Sequence, residues 1–221
     1  SDLPIKYKEY AVMTKKWRLV GKELYNIVKD PGQTIDVSAN HKEVVIELME
    51  SYENWWTDIS ENFNIYNRTI VGSIYQKEVQ LDAQFWHGSF SAFNQQHVRS
   101  ALQANGFWDL EVATKGTYRI ELRRWPKELD LAIDALVESP LLDPVKHDVT
   151  TRLVKLKSTA IIPKTARLQI GDFDQRQFIQ KGQKSVTFKV RLPKGKLNLK
   201  TWFINAEGIE WGAYYVYINK I

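Results

Sequence analysis

Between Phe107 and Arg123 the chain twice alternates apolar and polar residues with a period of two. Trp108, Leu110 and Val112 interleave with Asp109 and Glu111, and Tyr118, Ile120 and Leu122 interleave with Arg119, Glu121 and Arg123. Successive side chains of a strand point to opposite faces, so this pattern lays one apolar face on a core and turns the other to water. Thr114-Lys115-Gly116 joins the two runs and predicts a hairpin loop. The same rhythm returns at Ala166/Leu168/Ile170, Val186/Phe188/Val190, Leu197/Leu199 and GAYYVYI (212–218). Turn residues separate these runs at Gly171-Asp172, Lys181-Gly182-Gln183, Pro193-Lys194-Gly195 and Glu207-Gly208. Many short strands broken by turns predict a mainly β chain, an antiparallel jelly-roll-like β-sandwich. The pattern does not assign a side to Trp202 or Trp211. Residues 129–157 show no clear period: LDLAIDALV (129–137) suits a helix or a strand, and PLLDPVKHD (140–148) reads as a loop.

The first sixty residues follow other rules. Residues 11–20 predict a strand, Gly21-Lys22 a turn and residues 23–27 a second strand, which together make a hairpin. Asp30-Pro31-Gly32-Gln33 predicts a type II turn, with proline fixing φ at the second position and glycine accepting positive φ at the third. Asn40 is placed to cap a helix, with Glu43 as the capping-box acid and His41 facing solvent in the first turn. Val44, Val45, Leu48, Tyr52, Trp55 and Trp56 recur at spacings of three and four and form one apolar face. Trp55 and Trp56 are expected to pack on a neighbouring surface, because two exposed indoles would make a large apolar patch. The chain is thus expected to comprise a small α+β piece, residues 1–62 (a hairpin plus one helix), and a β-sandwich, residues 63–221.

Composition narrows the function classes. The net charge is +5, with Lys and Arg spread along the chain rather than gathered in blocks. No zinc-finger spacing or RNA-binding strand motif accompanies it, so no nucleic-acid partner is expected. There is no cysteine, which excludes disulfides and thiolate metal sites. No apolar run approaches the ~18 residues of a membrane-spanning helix. The chain opens on Ser1-Asp2 without a signal-peptide pattern, the expectation for a processed or excised chain.

The search for chemistry returns little. His41, His87, His97 and His147 show no metal-ligand spacing, and neither a nucleophile elbow nor a P-loop occurs. Asp172 and Asp174 in GDFDQ suit a cation or simply a turn. No catalytic or metal residue is assigned. Five residues are candidates for substrate binding: Trp86, His87, Arg123, Arg124 and Trp125. Trp86-His87 precedes a Gly/Ser turn, where an indole face can stack on a sugar while the imidazole bonds a hydroxyl; the same indole can equally be core. Arg123-Arg124-Trp125-Pro126 gathers two forked cations and an aromatic at a strand end, suited to a sulfate or carboxylate, or to docking against a neighbouring domain.

The segment WRLVGKELYNIVKDPGQTIDVSANHKEVVIELMESYENWW (17–56) resembles the C-terminal end of bacterial arylsulfatases, in the sulfatase family of the alkaline-phosphatase superfamily. There, a strand ending in WRL or WKL leads to ELYD or ELYN, then to D-P-x-E/Q-x-x-N/D-V and a helix opening near H-P-E-V. Glu23-Leu24-Tyr25-Asn26, Asp30-Pro31-Gly32-Gln33 and Asp36-Val37 match, while Lys42 stands where the family often has proline. FWHG (85–88), NGFWDLEV (105–112), GTYRIELRRWP (116–126) and GAYYVYI (212–218) resemble the accessory β-domain that some of these enzymes carry next. The glycine–aromatic pattern of these motifs also occurs in carbohydrate-binding jelly-rolls.

The resemblance implies the tail of an extracytoplasmic sulfatase, periplasmic or secreted, whose partner is a missing N-terminal catalytic domain. That domain would supply a formylglycine and Ca²⁺. The tail would wall the substrate cleft or bind a sulfated glycan or aryl sulfate. Formylglycine is made from the Cys or Ser of a C/S-x-P-x-R motif. None of the prolines at 4, 31, 126, 140, 144, 163 and 193 has Cys or Ser two residues before it. The chain itself is therefore expected to hold no such cofactor and to be inactive alone. Two alternatives stay open: a stand-alone carbohydrate-binding jelly-roll and a purely structural accessory domain.

Overall fold

The computed structural model describes residues 4–63, 65, 67–137 and 158–221. The chain divides into two compact units, Leu3–Tyr66 and, with the first two residues, Asn67–Ile221.

The first unit is a three-stranded antiparallel sheet and one long helix. Strands β1 (Ala11–Met13), β2 (Trp17–Val20) and β3 (Glu23–Asn26) pair in that order. The second hairpin turns at Gly21-Lys22 as expected, but residues 11–20 form two strands rather than one. Thr14 causes the break: its Oγ1 accepts from the amides of Lys16 and Trp17, which closes a turn inside the run. The turn at 30–33 is also not type II. Gln33 amide donates to Asp30 O at 3.1 Å, and the left-handed residue is Gln33 (φ 54°) rather than Gly32. The reason is Asp30, whose carboxylate takes the amides of Thr34 and Ile35 and so bends the chain back one residue later. Those bonds, Ile35 first, hold the Asp30 carboxyl below its usual range.

Helix α1 spans Lys42–Ser60. Asn40 does not cap it. Ser38–Asn40 form a 3-10 turn, and His41 occupies the cap position with no side-chain bond to the helix amides. His41 stacks on Trp17, ring centres 4.7 Å apart, instead of facing water alone. The predicted apolar face meets the sheet through Leu48, buried with Leu19 and Leu24, while Val44, Val45 and Met49 pack around them. Tyr52 is buried, Trp56 packs on Tyr52 and edge-on to Phe63, and Trp55 stays 53% exposed.

The second unit is the expected antiparallel β-sandwich. One sheet runs β10 (Val186–Leu192), β7 (Gly116–Arg123), β13 (Tyr215–Lys220), β5 (Glu78–Asp82). The other runs β4 (Thr69–Val71), β6 (Phe107–Val112), β11 (Gly195–Ile204), β8 (Thr165–Ile170), β9 (Phe173–Phe178), with β12 (Glu210–Trp211) on β11. Only β4 on β6 is parallel among these pairs. The two alternating runs of the opening argument are β6 and β7, and they do not form a hairpin. They lie in opposite sheets, and Thr114-Lys115 arches between them. Alternation fixes which side chains enter the core but not which strand supplies the backbone partner. Trp108, Leu110 and Val112 therefore meet Tyr118, Ile120 and Leu122 within one core cluster. Asp109, expected outward, is buried against Arg68 at 2.8 Å, while Glu111 on the same face of β6 stays exposed as expected. Residues 130–137 are neither helix nor strand, and 138–157, including His147, lie outside the described residues.

Candidate functional site: a polar cleft beside the four-stranded sheet

Of the five residues singled out in the sequence, three are interior. Trp86 is 4% exposed, edge-on to Trp108 at 5.7 Å and tilted on Tyr214 at 5.9 Å. Two glycines fit it closely. A Cβ on Gly106 would lie 2.6 Å from Trp86 Cβ, and one on Gly212 would lie 2.4 Å from its Cζ2. That indole offers no face to a sugar. Trp125 is 1% exposed beneath the Arg124 guanidinium, 4.5 Å away. Arg124 is itself fully buried, and its Nη2 donates to the carbonyls of Thr159 at 2.5 Å, Val98 at 3.3 Å and Arg99 at 3.4 Å. Burial pulls its pKa down to about 10. This arginine ties three chain segments together and is not free to fork onto a sulfate.

His87 continues a β-bridge to Phe107, its amide donating to Phe107 O at 2.8 Å, with the rings 5.5 Å apart. Arg123 lies on the outer face of β7, its Nε donating to Glu121 at 2.6 Å. Lys127 adds to that group, bonding Glu78 at 2.6 Å and approaching Glu121 at 3.4 Å, with its ammonium over the Tyr217 ring. Burial pushes the Glu78 and Glu121 carboxyls up, but hydrogen bonds from these cations outweigh it and hold both below their usual range.

The concavity with convergent hydrogen-bonding groups lies next to this network. The end of β5 supplies Gln80 and Asp82, and the following 3-10 turn (Ala83–Phe85) supplies Gln84. Asn94 caps the short helix α2 (Gln95–Arg99) through its Oδ1 on the His97 amide. It brings Phe93 and Gln95 to the opposite side. Tyr215, at the start of β13, and Glu128, after Pro126, close it. The cleft is open on one side and has a volume of about 510 Å³, within the range of small-molecule pockets.

Local chemistry places these groups. Asp82 stands opposite Tyr215 in the β5–β13 register, both on the outer face. Gln95 Nε2 donates to the Tyr215 hydroxyl at 2.6 Å, and Asp82 Oδ1 accepts the Gln84 amide at 3.2 Å. Burial raises the Asp82 carboxyl above its usual range against that one bond. Burial also raises the Tyr215 phenol, with the Asp82 and Glu128 charges adding to it and the Gln95 bond opposing. Phe93 is 58% exposed at the rim. A larger hollow of about 810 Å³ in the first unit, lined by Tyr10, Val45, Ile46 and Met49 among others, is mostly apolar and lacks such a polar constellation.

The sequence reading missed this cleft. Its residues come from four separated segments, and none forms a motif. The available signals were the amide-rich NQQ at 94–96 and the outward phase of Gln80 and Asp82 on their strand. Asp172 lies in the β8–β9 turn, and Asp174, in β9, forks with Arg167 at 2.5 and 2.7 Å across the hairpin. Among the described residues no group of three or more His, Cys, Asp or Glu converges.

No family model matches the chain, and no curated protein does. Among solved structures the chain is similar to a ruminal GH26 endo-beta-1,4-mannanase, at 9% identity and a TM-score of 0.38. That match covers 71% of this chain and 27% of the mannanase.

Proposed function

We propose that the sandwich is a glycan-binding accessory module and that the cleft between β5, β13 and the 93–95 segment is its binding site. The observation that carries this reading is the cleft itself. Planar amides (Gln80, Gln84, Asn94, Gln95), a carboxylate and a phenol converge under an exposed aromatic ring. Amide and carboxylate groups are paired donors and acceptors for vicinal hydroxyls, and an aromatic rim covers the apolar face of a pyranose. The chain forms no bond to the sugar that would need a nucleophile. Its role is retention and orientation.

In the same proposal the first unit is the closing subdomain of an arylsulfatase, and the whole chain is that enzyme's non-catalytic tail. The support is the motif run at 17–56 together with the order sheet, turn, helix. The catalytic domain, working outside the cytoplasm, would bring the formylglycine and Ca²⁺.

Two measurements test the two halves. Titrating the chain calorimetrically with an oligosaccharide panel should give saturable binding that Phe93→Ala abolishes; flat isotherms throughout would refute the module. Reading the genomic sequence upstream of the Ser1 codon should reveal an in-frame C/S-x-P-x-R motif, and an unrelated domain there would remove the sulfatase half.

A further inference from the structure

We infer that the cleft takes an uncharged stretch of saccharide and turns a sulfate ester away. The inference rests on the glycan reading above and adds the ligand's charge to it.

The lining residues decide the matter. Asp82 and Glu128 contribute two carboxylates, and among the described residues no Lys or Arg lines the cleft. Of the cations on the same sheet face, Arg123 pairs with Glu121 and Lys127 with Glu78, and Arg119, Lys189 and Arg191 do not line the cleft. Arg124, the other arginine of the pair, is fixed in the interior on three carbonyls. Asp82 has no ion-pair partner among the described residues, and its burial is offset only by the Gln84 amide.

Hydrogen-bond polarity points the same way. A carboxylate only accepts, and a sulfate ester has only acceptors to offer, so the two cannot bond at all. A sugar hydroxyl carries a proton and satisfies the carboxylate directly. Tyr215 accepts from Gln95 Nε2, so its own proton is what it has left to give, which suits a hydroxyl or ring oxygen. Like charges meeting across a binding surface discriminate between partners more than they set absolute affinity. A sulfatase tail of this kind would hold the neutral backbone of a sulfated polymer and leave the sulfate to another site.

The test is calorimetric titration of the whole chain with neutral gluco-, manno-, xylo- and galacto-tetrasaccharides. Each is then repeated with its chemically sulfated derivative. The expected result is binding of at least one neutral member, with its sulfated form at least about tenfold weaker. The gap should narrow as salt shortens the screening length from about 10 Å at 0.1 M to about 3 Å at 1 M. It should also narrow in the double variant Asp82→Asn, Glu128→Gln. Sulfated forms that bind as well as or better than the neutral ones, with Phe93→Ala abolishing that binding, would overturn the charge inference and leave the glycan module standing. If neither form binds, both fall.

Discussion

The two units spend their apolar residues differently. The sandwich seals one large aromatic cluster inside, while Tyr75, Phe85, Phe93 and Phe178 stay more than half exposed at its surface. Trp86, Trp108, Trp125, Tyr214 and Phe188 are all within one buried cluster, and the outward faces carry ion pairs. The first unit buries only Leu19, Leu24 and Leu48 as a core and leaves Met13, Val28, Ile46 and Trp55 more than half exposed. Both units show correct local patterning, so patterning alone does not make a self-sufficient domain. Size bears on it: a piece of about 60 residues buries only about 60% of the surface its unfolded chain exposes and is correspondingly marginal.

The most drastic way to break the comparison is to separate the units. Residues 67–221 alone should melt cooperatively with intact near-ultraviolet dichroism. Residues 4–66 alone should show no cooperative transition. A sharp, two-state melt of the short piece would show that three leucines and an aromatic cluster suffice, and the contrast would collapse.

A single residue type sharpens it further. Trp86→Ala removes an indole clasped by Gly106 and Gly212 and should cost about 3–5 kcal/mol in urea unfolding. Trp55→Ala, at a half-exposed ring, should stay within about 0.5 kcal/mol. Equal losses would mean that Trp55 is buried in solution against something else.

The same contrast explains what could be seen in the sequence. The sandwich core was legible because period-two runs such as 108–112 and 118–122 state burial directly. Their partners were not, since β6 and β7 sit in opposite sheets and the backbone ladder leaves no mark on the side-chain pattern. The turn at 30–33 misled because Pro-Gly dominates any local reading, whereas the Asp30 carboxylate, bonding two amides downstream, sets the geometry. The tryptophans drew attention as sugar platforms for the chemistry they can do. In the fold that same size makes Trp86 and Trp125 the best core fillers. The cleft was invisible because Gln80, Gln84, Gln95 and Tyr215 are each ordinary alone and meet only through the β5–β13 register and a five-residue helix.

The adjacent pair Arg123 and Arg124 carries the comparison inside one strand end. Arg124→Leu leaves the Thr159 carbonyl without its donor, while the Val98 and Arg99 carbonyls keep the amides of Ala101 and Thr159. It should destabilise by about 1–3 kcal/mol, with relief of the buried cation offsetting part of the loss. Arg123→Ala breaks a mostly buried pair with Glu121, which keeps Lys127 at 3.4 Å, and should cost about 1 kcal/mol. A larger loss at Arg123 would move structural weight to the outer face and weaken the view that the cleft's surroundings are free for a ligand.

The smallest effect expected is at Asp82, and its sign is the informative part. Burial raises this carboxyl's pKa in the folded chain above its unfolded value. The folded form therefore holds the proton more tightly, and stability at this group is greatest below the unfolded pKa. It falls as pH rises through the unfolded and then the folded value, so the full penalty is present at neutral pH. Asp82→Asn cannot ionise and keeps an acceptor for the Gln84 amide. The variant should melt slightly above the parent at pH 7, by an amount within about 0.5 kcal/mol, and level with it near pH 3. The opposite order at pH 7 would mean that the carboxylate is stabilised by a cation in solution, and a cleft so compensated would no longer discriminate against sulfate.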